Sequence, residues 1–157
     1  MNWKTYGTAA TVWAICVAPV VAFEASHVEK LKQDAACVEC DLSGADLSGA
    51  NMSGAKLYGA DLKDAILNGT NLSSTDLKGA NLYGVNLRKA MLIGIDLTGA
   101  DMTGAVLINT DLTGADLTGA DLTGADLTSA DMTGAIMTDA ILCNTIMPDT
   151  SVLSSGC

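Results

Sequence analysis

Proline, histidine and aromatic side chains are nearly missing from this chain. It has two Pro, one His, one Phe, two Trp and three Tyr in 157 residues. A single His removes most catalytic triads and most zinc sites. With so few aromatics, the 49% apolar content is mainly Ala, Leu, Met and Ile, which suits a narrow, regular core better than an irregular one. Basic residues are scarce as well: 8 Lys and Arg stand against 18 Asp and Glu, a formal net charge of −10. From Met91 to Cys157 there is no Lys or Arg at all, while nine Asp occur. That one-sign field disfavours nucleic acid and anionic membranes as partners, because both need a basic surface. No phosphate-binding loop and no cluster of metal ligands stands out, so no enzyme activity and no cofactor are expected. The length suits one domain.

Residues 1–22 read as a signal peptide, with Lys4 in the n-region, an apolar run from Thr8 to Val21, and Val20-Val21-Ala22 as a small-residue cleavage site. The run is short for a membrane-spanning helix. The expected location is therefore secreted or periplasmic, in a bacterium. Residues 23–39 are polar and form a capping segment. Ser26-His27-Val28-Glu29 has the pattern of a capping box, and Val28, Leu31 and Ala35 recur at helical spacing. These signals predict a short helix from His27 to Ala35, covering the open end of whatever follows.

From Cys40 the chain repeats every five residues. Counting by five from Leu42 to Met147 gives twenty-two consecutive centres, every one Leu or Met. Two positions before each centre the residue is nearly always Ala, with Asp or Asn between the two. Ser or Thr and then Gly follow the centre. In extended backbone, residues two apart share a face, so Ala and Leu point one way and Asp points the other. A period of five is odd and would flip the Leu to alternate faces of a straight strand. It does not keep one side of a helix either. A corner in every repeat, at the Ser/Thr-Gly pair where Gly tolerates positive φ, resolves the conflict.

Runs such as Ala115-Asp116-Leu117-Thr118-Gly119 and Ala120-Asp121-Leu122-Thr123-Gly124 resemble the A-(D/N)-L-x-x signature of pentapeptide-repeat proteins. The resemblance covers residues 40–149 and leaves 150–157 as a capping tail. It implies an all-β fold, a right-handed quadrilateral β-helix with four repeats per coil, here about 5.5 coils and roughly 26 Å long. Periodicity alone does not choose a square over another polygon. Departures from the pattern stand at the outward Asp/Asn site (Lys56, Ile66, Met91, Val106, Ile136, Ile141, Ile146) and at the Ser/Thr site (among them Tyr83, Arg88, Ile93 and Ile108).

Beyond the leader, four cysteines remain. On the implied fold Cys40 and Cys143 lie five coils apart, on the order of 24 Å, out of disulfide reach. The expected pairing is Cys143–Cys157, clamping the tail over the last coil. Cys37 and Cys40 are expected either as a disulfide or as free thiols.

The expected role is a non-catalytic scaffold for an unknown protein partner, or a structural element. Its acidic interaction surface would be Asp96, Asp101, Asp111, Asp116, Asp121, Asp126 and Asp131, with Asp101 and Asp121 in one column, Asp96 and Asp116 in a second and Asp111 and Asp131 in a third. Ile136, Ile141 and Ile146 point outward on the last coil, so either the tail covers them or they form a homodimer contact, as the resemblance allows. Two alternatives remain open. One is a DNA mimic that inhibits a DNA-binding enzyme such as gyrase, an activity the resemblance suggests and the export signal disfavours. The other is weak divalent-cation binding on the acidic rows.

Overall fold

The structure is a computed structural model that describes residues 25–154 and 156–157. The expected signal peptide lies outside the described residues. Helix α1 spans Ala25–Asp34, beginning two residues before the expected start. Ser26 therefore lies within the helix and does not cap it, and Glu29 pairs with Lys32 Nζ at 2.7 Å. The helix ends where Ala35 turns to φ 50°. Leu31 is fully buried and Val28 packs beside it, so the apolar side of α1 covers the first coil.

After α1 the chain winds with a pitch of twenty residues. Bridges join Asp41 to Asp61, Asp61 to Asn81, Asn81 to Asp101 and Asp101 to Asp121, all parallel, and the three other sides repeat the same spacing. Four five-residue sides thus make one coil. The solenoid starts one repeat before the expected Cys40: Ala36 bridges Lys56, Cys37 is buried in the centre position, and Glu39 takes the corner at φ 53°. Residues 36–40 therefore belong to the first coil and not to the capping segment, because their N–H groups join the same inter-coil ladder. We number the faces from the first full coil: face 1 with Asp41, face 2 with Asp46, face 3 with Asn51 and face 4 with Lys56.

A single repeat shows why the pattern folds this way. In Asp116–Ala120 all five backbone N–H groups are used. Asp116 N–H donates to Ile95 O of the coil below, at 2.9 Å. Leu117 and Gly119 donate to Ile136 O and Thr138 O of the coil above, both at 2.8 Å. Ala120 closes a turn onto Leu117 O at 3.0 Å, and Thr118 N–H donates to the Asp116 carboxylate Oδ1 at 2.9 Å. The corner residue takes φ near +60° whatever its identity: Gly119 is at 65°, Lys89 at 58° and Asn109 at 57°.

The expected β character is realised in an unusual form. Regular strands among the described residues are limited to β1 (Thr145–Ile146) and β2 (Val152–Leu153), while the coils are joined by isolated one-residue bridges. A five-residue side bends at its turn before a second consecutive residue can bridge. The core is a column of Leu and Met centres with Ala between them, fully buried from Leu42 to Leu127. Thr70, Thr75, Thr110 and Thr145 replace Ala there, and each donates its hydroxyl to a carbonyl of the preceding coil, at 2.7–3.0 Å. A buried hydroxyl is tolerated because its partner is built into the solenoid.

The tail folds back on the last coil. β1 and β2 pair antiparallel, with Ile146 opposite Val152, and Cys143 is joined to Cys157. The tail thereby lies along the edges of faces 2 and 1.

Candidate interaction surface

The outward Asp/Asn site is occupied by the acidic residues that the sequence nominates as a surface. The bridges place Asp96 against Asp116, Asp101 against Asp121 and Asp111 against Asp131, while Asp126 lies on face 2 above Val106. The seven carboxylates are thus spread over four faces, not gathered on one. Each has a backbone task as well. In every repeat with Asp or Asn at this site, Oδ1 accepts the N–H two residues on, from Ser43 to Thr133. This N–H is the one that the inter-coil ladder leaves over. Asp and Asn are therefore selected first as acceptors, and the charge of Asp is an addition.

Hydrogen bonding also tunes some of these groups. The Ser43 hydroxyl and N–H hold the Asp41 carboxyl below its ordinary value, Ser48 does so for Asp46 and Thr133 for Asp131. At Asp96, burial pushes the pKa up, and the bonds from Thr98 and Lys78 outweigh it, so the net direction is down. Lys78 Nζ lies 3.2 Å from Asp96 Oδ2. Among the described residues no group of three or more His, Cys, Asp or Glu is placed to hold a metal ion.

At the N-terminal end Cys37 and Cys40 form a disulfide and are buried beneath α1. His27 sits over this end, its Nδ1 3.1 Å from Asp41 N and 3.3 Å from Asp41 O.

At the C-terminal end the three isoleucines have different surroundings. Ile146 is half-buried by its pairing with β2, Gly156 lies against Ile141, and Ile136 on face 4 is 50% exposed. The core layer beneath them, Met132, Met137, Leu142 and Met147, is only partly buried. Among the described residues no backbone carbonyl receives the N–H of Met132, Gly134, Met137 or Asp139. Faces 3 and 4 of the last coil therefore present an open ladder edge beside a half-open core layer.

The sequence pattern also contains a grouping that residue-by-residue inspection does not reveal. Residues 66–74, 86–94 and 106–110 contain no carboxylate. Because the coil is twenty residues long, these three stretches stack on faces 2 and 3. Setting the sequence out in rows of twenty would have exposed it.

A family model described as pentapeptide repeats matches in eight copies, over residues 33–64, 65–104, 80–119, 100–139 and 110–147. Among solved structures, the pentapeptide repeat protein Rfr23 from the cyanobacterium Cyanothece 51142 is 29% identical with a TM-score of 0.72, over 73% of this chain and 92% of that one. HetL from Nostoc, a pentapeptide repeat protein involved in heterocyst differentiation regulation, is 31% identical over 75% of this chain and 76% of its own, with a TM-score of 0.36. A pentapeptide repeat protein from the Arabidopsis thaliana thylakoid lumen is 30% identical over 71% and 70%, with a TM-score of 0.31. No curated protein matches the chain. With repeats matched over most of its length and a solenoid of twenty-residue coils, the chain belongs to the pentapeptide repeat family.

Proposed function

We propose that this protein is an exported, non-catalytic scaffold, a right-handed quadrilateral rod that docks a protein partner in the bacterial periplasm or outside the cell. The observation that carries the scaffold reading is the use of the repeat's polar groups. In a standard repeat all five N–H groups are bound within the solenoid, and the Asp carboxylates are among their acceptors. Side chains that could do chemistry are instead holding corners. Export is supported by the two disulfides, which persist in oxidising compartments, together with the apolar run before the capping helix. Mass spectrometry of the N-terminus of the purified protein tests export: a start at Phe23 supports it, and a start at Met1 sinks it.

The scaffold reading is tested by affinity capture and cross-linking from a periplasmic extract, with the seven acidic-surface Asp changed to Asn in a parallel arm. Asn keeps every Oδ1 acceptor and removes the charge, so the rod stays folded. A partner lost in the Asn arm assigns docking to the acidic rows; a partner retained moves it elsewhere; no specific partner in either arm defeats the reading. DNA mimicry finds less support, because no column holds more than three successive carboxylates and three of the four columns end at Ile136, Ile141 and Ile146.

A second reading, homodimerisation through the C-terminal coil, is favoured by the open edge on faces 3 and 4. A second copy could cover Ile136 and accept the N–H groups of Met132, Gly134, Met137 and Asp139. Sedimentation at several concentrations tests this: a strict monomer leaves the tail as the only cover.

A further inference from the structure

We propose that the carboxylate-free patch on faces 2 and 3 is a docking surface for an acidic protein segment that also carries apolar side chains. The proposal rests on the protein-docking reading above and names a different surface for it.

The patch gathers three departures from the Asp/Asn rule in the middle of the solenoid, away from Lys56 and from Ile136, Ile141 and Ile146 on the last coil. At Ile66, Met91 and Val106 the outward Asp/Asn site holds a side chain with no acceptor. The N–H groups of Asn68, Ile93 and Ile108 thus lose the intrarepeat partner found in every Asp- or Asn-bearing repeat. Each loss removes a hydrogen bond that the Asp- and Asn-bearing repeats keep, and nothing is gained in the core, since these side chains point outward. Met91 and Ile93 stand 43% and 42% exposed, and Ile66 is exposed as well. The bridges from Ile66 to Asn86 and from Asn86 to Val106 make one continuous column on face 2. Met91 follows directly around the corner at Lys89.

That corner carries a second cost. Lys89 holds φ 58°, where Gly stands at most other corners and a long L side chain is strained. Arg88 and Lys89 are both exposed. Elsewhere Lys32 and Lys78 have carboxylate partners and Lys63 lies over the Tyr83 ring at 5.4 Å, while Lys30 and Lys56 are single cations without an ion pair among the described residues. Arg88 and Lys89 have no anionic partner among the described residues. Asn68 Oδ1, in the same patch, is the one buried side-chain polar atom there without a hydrogen-bond partner.

Two adjacent cations without counter-ions, ringed by five exposed or half-exposed aliphatic side chains, fit a partner with acidic and apolar groups interleaved. Charge complementarity selects it: a basic partner would be repelled at Arg88 and Lys89 and drawn to the Asp rows instead. The apolar ring excludes water around the ion pairs, an arrangement in which Arg contributes most.

The test is selection of random peptides displayed on phage against the purified protein and against two variants. Ile66→Asn/Met91→Asn/Val106→Asn restores the acceptor at each site and is expected to fold at least as stably as the parent, so loss of binding cannot be ascribed to unfolding. Arg88→Glu/Lys89→Glu inverts the charge. The proposal expects selected peptides rich in Asp or Glu and in large apolar residues, with affinity reduced roughly tenfold or more by either variant. Peptides that are basic or uncharged, or that bind the variants equally well, overturn it while leaving protein docking in place. An absence of any enriched peptide counts against both. If the parent self-associates in sedimentation and the variants do not, the occupant is a second copy, and the assignment to a different protein fails.

Discussion

Replacing Asp101, Asp111 and Asp116 together, once by Asn and once by Ala, separates the two roles that these residues could have. The three lie on faces 1, 3 and 4. Each accepts the N–H of the Thr two residues on, at 3.0, 3.0 and 2.9 Å. Asn preserves the Oδ1 acceptor and removes three negative charges from a half of the chain that contains no cation. Relief of repulsion should leave the Asn variant as stable as the parent or slightly more so. Ala removes the same charges and the acceptors. Water reaches these positions, so each orphaned N–H costs about 1 kcal/mol and not the full penalty of burial. Sites on different faces add, for a total of about 2–3 kcal/mol. Urea denaturation followed by far-ultraviolet circular dichroism reads the difference as a shift in midpoint at constant slope. If the Ala variant tracks the Asn variant, the carboxylates are not holding the corners, and the account of why Asp and Asn occupy this site is wrong.

Gly119→Ala should cost about 1 kcal/mol from its φ of 65° alone, since an added Cβ would meet nothing within 4 Å. Gly84→Ala should cost about the same, because the one atom its Cβ would crowd, Asp64 Oδ1, is the end of a side chain that can turn aside; thermal melts of the two should agree, and a much larger loss at Gly84 would show that the Asp64 carboxylate is held in place. Lys89→Gly should stabilise the rod by about 1 kcal/mol and weaken peptide binding at the patch, a trade visible by measuring both on one preparation. Reduction of Cys143–Cys157, which closes a loop with a sequence separation of 14, should cost up to about 3 kcal/mol. In a solenoid that loss stays local, so hydrogen exchange should rise at residues 145–153 and not at residues 60–100. Asp41, Asp46 and Asp131 have depressed folded-state values, so the stability they contribute is present above the ordinary carboxylate value of about 3.9 and falls away as pH drops below it. Melting temperature should therefore decline in acid below about pH 4, and a flat profile down to pH 2 would contradict those assignments.

The sequence by itself determined the repeat and the division of each repeat into inward and outward residues, but not its start, since residues 36–40 lack the Leu/Met centre and still join the ladder. Leu and Met centres at every fifth position, with Ala two residues before, leave no regular strand or helix that would bury them together. The corner at Gly was legible for the same reason. The short helix was legible from Val28 and Leu31, although its start was not, since Ser26 signals a cap that the fold places one step inside the helix. What the sequence left open was the length of a coil. Side-chain alternation is local, whereas coil closure depends on the angle each turn adds and on inter-coil hydrogen bonds between residues nineteen to twenty-one apart, such as Leu117 to Ile136 and Asp116 to Ile95. Only that closure decides which surface residues become neighbours. It scattered the seven acidic residues over four faces, and it gave their carboxylates a backbone partner that composition could not reveal. It also brought Ile66, Arg88 and Val106, from three successive coils, onto one continuous patch beside Met91. A residue's neighbours along a solenoid are set by the pitch, and the pitch belongs to the tertiary structure.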